Sequence, residues 1–237
     1  MARWLNMVEL NCADASKAKE FVEWYENIHL ADILETPGYL NGRLYEKKEY
    51  REGRGQFLTL YEIETDDIDE TIAFRREKRK REREQGRYRD VFVVLWRDIR
   101  WRQIIERDSS QELSEKGERW VNLVENNLVT PSLAGQFIDW YERVHLPDIL
   151  ENPGFLRGGL YERSEFVGGR GQFLTIYHLE TDNIDRTMSL RRESRARERE
   201  KGHYRPVEMD GGRYLFMPVW RDVIWKLMFE RNVSQQG

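Results

Sequence analysis

Cysteine is almost missing from this chain. Cys12 is the only one among 237 residues, which excludes an internal disulfide and any zinc cluster built on cysteines. Histidine is scarce too, with four residues. No apolar run approaches the roughly 18 residues of a membrane-spanning helix. The start, MARWLNMVEL, alternates like a strand and lacks a secretion-signal pattern. Nor does one sign of charge prevail. Lys and Arg number 39 against 43 Asp and Glu, a formal net of −4, so no global field draws nucleic acid or an anionic membrane. These absences lead to the expectation of a cytoplasmic protein with neither nucleic acid nor membrane as partner.

What is there is written twice. Residues 3–88 align with residues 119–204 at a constant offset of 116 without a gap. About 50 of the 86 paired positions are identical, far beyond shared composition. A period of that length is a domain rather than a solenoid repeat. The expected organisation is a first half over 1–106, a polar linker over 107–118 (RDSSQELSEKGE) and a second half over 119–237.

Each half reads βαββαβ. RWLNMVEL (3–10) alternates with period two. From Ser16 the spacing turns helical, through Phe21, Val22, Tyr25, Ile28 and His29, until Pro37-Gly38 stops it. Strands follow at 39–46 and 56–64, then a helix with acids at its start and bases at its end, then a strand over 89–98. The second half repeats this over 119–127, 132–152, 155–165, 172–180, 182–201 and 213–222. The fold class is α+β: two ferredoxin-like units, each with both helices on one face of an antiparallel sheet. Packing the bare sheet faces together as an intramolecular dimeric barrel is the expected way to bury them. Self-association beyond that pair stays open.

The strongest local signal is WYENIHLADILETPGY (24–39), repeated as WYERVHLPDILENPGF (140–155). Tyr25 and His29 lie four apart, and Asp32 three further on, hence on one helix face; Tyr141, His145 and Asp148 repeat the set. That face is the apolar one, so the imidazole points inward, where it can move protons. Asp32 or a backbone carbonyl could fix its tautomer. The plainer reading is a satisfied helix-end histidine.

The run WY-x-x-x-H-x-x-D-x-L-x-x-PG-[YF] resembles the EthD-type branch of the dimeric α/β-barrel superfamily. That resemblance implies small cofactor-free enzymes such as polyketide dehydratases and cyclases, lactone isomerases and cofactorless monooxygenases, alongside haem-binding branches. It also implies a cavity between helices and sheet, with the helix histidine, here His29 and His145, as proton carrier. The fusion and the arginine-rich second helix depart from the common pattern.

Other repeated residues are candidate ligand contacts. Asn6 and Asn122 sit mid-strand, where asparagine is disfavoured, and could donate to a carbonyl or enolate oxygen. Tyr45 and Tyr161, and Tyr61 and Tyr177, recur on the central strands and could supply a second acid or pack. Trp96 and Trp220 suit a flat apolar ligand or a core. Arg75 and Arg191 could clamp a carboxylate or phenolate at the cavity mouth, or belong to a solvated face laced with ion pairs. Divergence falls at Arg43 against Gly159, Glu62 against His178 and Arg87 against His203, and at an insertion around 206–212. Gly158-Gly159 is expected to leave room, and the insertion to serve as a lid, in the second half. The expected function is a cofactor-free lyase or isomerase acting on a small, largely apolar, oxygenated substrate of aromatic or polyketide-like type. Haem with an axial histidine, or a non-catalytic ligand-binding module, are the alternatives. No metal site is expected.

Overall fold

A computed structural model describes residues 1–50, 53–89, 92–111, 117–165, 171–209 and 213–233, the side chains of 217–220 excepted. Two compact units divide the chain: Met1–Arg102 with Trp225–Gly237, and Gln103–Ile224.

In the first unit, β1 (Ala2–Cys12) leads into α1 (Ala18–Trp24), a π-helical turn (Tyr25–His29) and α2 (Leu30–Leu34). Strands β2 (Tyr39–Lys47) and β3 (Phe57–Thr65) follow, then α3 (Ile68–Glu84) and β4 (Val93–Asp108). The second unit repeats the order. It runs through β5 (Glu118–Leu128), α4 (Ala134–Trp140), a π-helical turn (Tyr141–His145), α5 (Leu146–Leu150), β6 (Phe155–Arg163), β7 (Phe173–Thr181) and α6 (Ile184–Glu200). A short hairpin, β8 (Glu208–Met209) and β9 (Arg213–Tyr214), precedes β10 (Phe216–Asn232).

The sheet order is β4-β1-β3-β2-β10 in the first unit and β10-β5-β7-β6-β4 in the second. The last strand of each repeat is longer than its sequence suggested. Residues 93–102 of β4 pair with β1 in the first unit, and 103–108 belong to the second. Likewise 225–232 of β10 pair with β2 in the first unit. Between the expected end at 98 and Asp108 there is neither Gly nor Pro to stop the strand. The expected linker therefore loses its first residues to β4, and 112–116 lie outside the described residues.

Alternation along the strands assigns the faces. In the first unit Leu10, Phe57, Tyr61 and Ile63 meet Phe21, Leu30, Ile33 and Ile68 of the helices. In the second, Phe173, Tyr177 and Leu179 meet Phe137, Leu146, Ile149 and Ile184. The helices sit close. A Cβ on Gly42 would fall 2.8 Å from Leu30 Cδ2, and one on Gly158 2.7 Å from Leu146 Cδ2, so only glycine admits the helix there.

The first turns of the second helices dock through Ile68 and Ile184, whereas the turns after Phe74 and Leu190, which hold no apolar residue but Ala196, dock by polar contacts. Asp67 and Asn183 cap their starts. Arg75 forms a buried two-pronged pair with Glu82 at 2.8 and 2.9 Å. Lys78 donates to the Asp32 carbonyl and to Glu35, and Arg79 and Arg83 lie over Tyr88.

Candidate functional site

The site grows from the π turn. In an α-helix, residues five apart point about 140° away from each other. Here Leu30 N–H bonds back five residues to Tyr25 O, and Leu146 to Tyr141 O. The widened turn brings residue i over residue i+5. His29 thus stacks on Trp24 at 4.8 Å and meets the edge of Tyr25 at 4.7 Å. His145 stacks on Trp140 at 4.6 Å and meets Tyr141 at 4.7 Å.

Below each turn, the central strand supplies a hydroxyl chain. Tyr25 Oη lies 2.7 Å from Thr59 Oγ1 and 2.8 Å from Tyr61 Oη. Tyr141 Oη lies 2.6 Å from Thr175 and 2.8 Å from Tyr177. Among the described residues, the chain reaches the histidine in the second unit alone, with Tyr177 Oη 3.2 Å from His145 Nε2. Burial pushes the Tyr25 and Tyr141 phenols up to about 12, and those of Tyr61 and Tyr177 well above their usual value. All four are neutral hydrogen-bonding groups at pH 7. Both imidazoles are held well below the ordinary histidine value, by burial first and then by Arg75 and Arg79, or Arg191 and Arg195. Each is a neutral imidazole at pH 7, and its protonation is harder than in water.

Both histidines line cavities between helices and sheet. The first is about 50 Å³, bordered by Asn6, Tyr25, His29, Tyr39, Tyr61, Arg75, Arg79, Tyr88 and Asp98. It holds little beyond water. The second is about 260 Å³, bordered by Asn122, Asn126, Trp140, Tyr141, His145, Tyr177, Met188, Arg191, Arg192, Arg195, Tyr204, Phe216 and Asp222.

Some expected partners are elsewhere. Asp32 binds Arg87, and Asp148 binds His203 Nδ1 at 2.8 Å, so neither carboxylate fixes the tautomer of His29 or His145. Tyr45 and Tyr161 are buried but lie on the sheet face away from the helices. Trp96 is 38% exposed; it donates to Asn11 and stacks under Arg54. The side chain of Trp220 lies outside the described residues. His178 is not among the residues bordering the His145 cavity. Its counterpart Glu62 accepts from Arg43 at 2.5 Å and Asn41 at 2.7 Å on the non-helix face. Gly158 and Gly159 open no room. Their missing side chains are replaced by Leu146 and Tyr177, and by the Tyr161 ring.

Residues the sequence reading passed over complete the cavities. Asp98 and Asp222 align at the shifted offset that the insertion creates, and Asp222 accepts from Asn122 Nδ2 at 2.6 Å. Tyr88 and Tyr204, and Arg79 and Arg195, repeat in the sequence and could have been found that way. Residues 210–212 of the insertion lie outside the described residues, while Tyr214 beside them stacks on Phe216, which stacks on Trp140.

No group of His, Cys, Asp or Glu among the described residues could hold a metal ion. An axial haem ligand needs a ring nitrogen facing an open slot. His145 Nε2 faces Tyr177, its Nδ1 is buried, and Trp140 covers one ring face. A cavity of about 260 Å³ is also below the roughly 300–1,000 Å³ that drug-sized ligands occupy. The residues present do not fit haem in this arrangement.

No protein-family model matches the chain, and no curated protein matches it. Solved structures do. An anthrone oxidase-like protein superposes with a TM-score of 0.60 at 14% identity, over 99% of this chain and 94% of its own. A suspected monooxygenase of Fusobacterium nucleatum gives 0.58 at 8% identity, over 98% and 94%. A variant chlorite dismutase of Candidatus Nitrospira defluvii gives 0.57 at 9% identity, over 99% and 94%. At such identities the likeness establishes fold alone: the chain has the α+β fold of the dimeric α/β-barrel type, built of ferredoxin-like units. No helix among the described residues is long and apolar enough to cross a membrane.

Proposed function

We propose that this chain is a cofactor-free enzyme that moves a proton on a small oxygenated ring or conjugated substrate, as a lyase or isomerase, at His145. The observation that carries this reading is the chain Thr175–Tyr141–Tyr177–His145, closed by hydrogen bonds at the edge of an aromatic cavity. With Nε2 accepting from Tyr177, the ring proton sits on Nδ1. Nε2 takes the substrate proton, directly or through the Tyr177 hydroxyl. The anion left behind meets Arg191 and Arg195, and the imidazolium returns the proton to a neighbouring carbon or a leaving group. The enzyme classes named for the similar structures are in keeping with small-molecule chemistry on this fold. The helix motif supports placing the chain in the EthD-type branch, and the gapless repeat supports a fused duplication.

The base-promoted opening of nitrobenzisoxazole is a suitable probe. It needs only removal of a ring C–H proton as the N–O bond breaks, and it yields a coloured phenolate. His145→Gln is expected to lose about 10²-fold of the enzyme's rate and His29→Gln less than about twofold. Equal losses would refute the assignment to one half. Retention of the rate in His145→Gln would refute the mechanism. An absorbance scan after expression with haem precursors separates the haem reading, which requires a Soret band.

A further inference from the structure

The polar groups of the His145 cavity are distributed unevenly, and the distribution describes a ligand. Along α6, Arg191, Arg192 and Arg195 border the cavity, whereas Asp222 is the single acid there among the described residues. In the first unit Arg75 is locked by two hydrogen bonds to Glu82. In the second, Arg191 gives one nitrogen to Glu198 at 2.7 Å, and Ser194 also occupies that carboxylate oxygen at 2.9 Å. The pair is thus single-pronged, and the second oxygen of Glu198 is buried with no hydrogen-bond partner among the described residues. Arg195 Nε is buried with no hydrogen-bond partner among the described residues. Cations lining a cavity favour an anion.

The strand wall carries the opposite preference. Asn126 is 4% exposed, lies on the helix-facing side of β5 and borders the cavity, yet its Oδ1 has no partner among the described residues. A buried carbonyl without a donor is costly unless a ligand or water meets it. Its counterpart in the first unit is Leu10, a core residue. The polar group is therefore peculiar to the larger cavity and not demanded by the fold. Between the two walls stand flat surfaces, with Trp140 and Phe216 stacked at 5.5 Å and 20°.

We infer that the cavity takes a planar hydroxy-carboxylate, its anionic end at Arg191 and Arg195 and its hydroxyl donating to Asn126 Oδ1. This rests on the proton-transfer reading of the same pocket, and adds the substrate class and Asn126 as the residue that selects it. A hydroxyl read by a buried acceptor discriminates sharply against the analogue that lacks it, because the acceptor is then left unpaired.

The test uses the full chain and three probes: para-hydroxycinnamate, cinnamate and para-hydroxycinnamamide, titrated by calorimetry and tryptophan fluorescence. The hydroxy acid is expected to bind about tenfold or more tightly than either the acid lacking the hydroxyl or the neutral amide. Asn126→Leu, which installs the residue of the first unit, should abolish the preference for the hydroxyl while keeping that for the anion. Arg195→Gln should do the reverse, and Arg79→Gln should change neither. Equal affinities for the three probes, or preferences unmoved by the Asn126 and Arg195 variants, overturn the inference. Should Arg195→Gln fail to fold, the amide comparison and the salt dependence of hydroxy-acid binding in the natural chain decide the anion site. His145→Gln separates this inference from the reading beneath it. Unselective binding with lost turnover removes only the substrate class. Selective binding with undiminished turnover removes the proton-transfer role.

Discussion

The first and second units hold the same letters in the same places. Trp24, Tyr25, His29, Tyr61, Arg75 and Arg79 match Trp140, Tyr141, His145, Tyr177, Arg191 and Arg195. Their cavities nevertheless measure about 50 and about 260 Å³. In the first, Phe92 is buried beside Trp24 at 6.0 Å and Leu10 fills the strand wall. In the second, Phe216 follows the insertion and is only partly buried, Met188 replaces Ile72 and Asn126 replaces Leu10. The histidine hydrogen bond follows the same division, present to His145 and absent, among the described residues, from His29. A duplicated catalytic set does not make two equivalent sites. The wall residues around it decide which one can admit a ligand.

The largest expected difference between the units lies in the arginine pairs. Arg75 and Glu82 are both about 4% exposed at the side chain and joined by two hydrogen bonds. Arg75→Met strands the Glu82 charge, and should destabilise the chain by about 3–5 kcal/mol. Arg191→Met also leaves a buried carboxylate without its cation, but it removes one hydrogen bond where Arg75→Met removes two, and Ser194 remains on Glu198; a smaller loss, about 2–3 kcal/mol, is expected. Denaturant midpoints of the two variants measure this. Equal losses would mean that Arg191 is as fully committed to structure as Arg75, which would weaken its role towards an anion.

Acid should reveal the two histidines together and then apart. Each folded-state value is depressed, chiefly by burial and then by the neighbouring arginines. The unfolded chain therefore binds protons first, and stability is complete above the unfolded value of about 6.5 and falls below it. At pH 5.5 each histidine should leave the chain less stable than at pH 7. His29→Gln and His145→Gln should each remove one share of that slope in denaturation at the two pH values. A slope unchanged by either variant would show that the imidazoles protonate as readily folded as unfolded. For catalysis the folded-state value governs: the base is neutral at pH 7 and, being held well below the ordinary histidine value, stays so as pH falls through 6.5, so activity should decline only at pH values further below.

The repeat, the βαββαβ order and the inward histidine were legible because each is written as spacing. Tyr25 with His29, and the alternation of RWLNMVEL, need nothing beyond helix and strand periods. The site's second layer was not. The π turn leaves no mark in composition, yet it stacks His29 on Trp24 and carries Asp32 off to Arg87. Asp222 hid behind an offset changed by the insertion, although Asp98 repeats it. Gly158-Gly159 misled because a missing side chain predicts space only if no neighbour moves in, and Leu146 and Tyr161 do. The extension of β4 and β10 was visible as uninterrupted strand sequence, but which unit each end would join depends on pairing across distant segments.

The smallest difference is the most telling about mechanism. Tyr61 and Tyr177 are equally buried phenols bonded to the tyrosine of the π turn at 2.8 Å. Tyr61→Phe should therefore cost about 1–1.5 kcal/mol for the lost hydrogen bond, and Tyr177→Phe somewhat more, because it also leaves a buried imidazole nitrogen unpaired. Only Tyr177 also touches an imidazole. Removing its hydroxyl takes the partner from His145 Nε2 and unfixes the tautomer in which that nitrogen is the base. The rate on nitrobenzisoxazole should fall about tenfold in Tyr177→Phe and stay unchanged in Tyr61→Phe. A parallel fall in both would trace the effect to the shared scaffold. No fall in either would mean that His145 keeps its tautomer unaided, leaving the cavity walls alone to distinguish the halves.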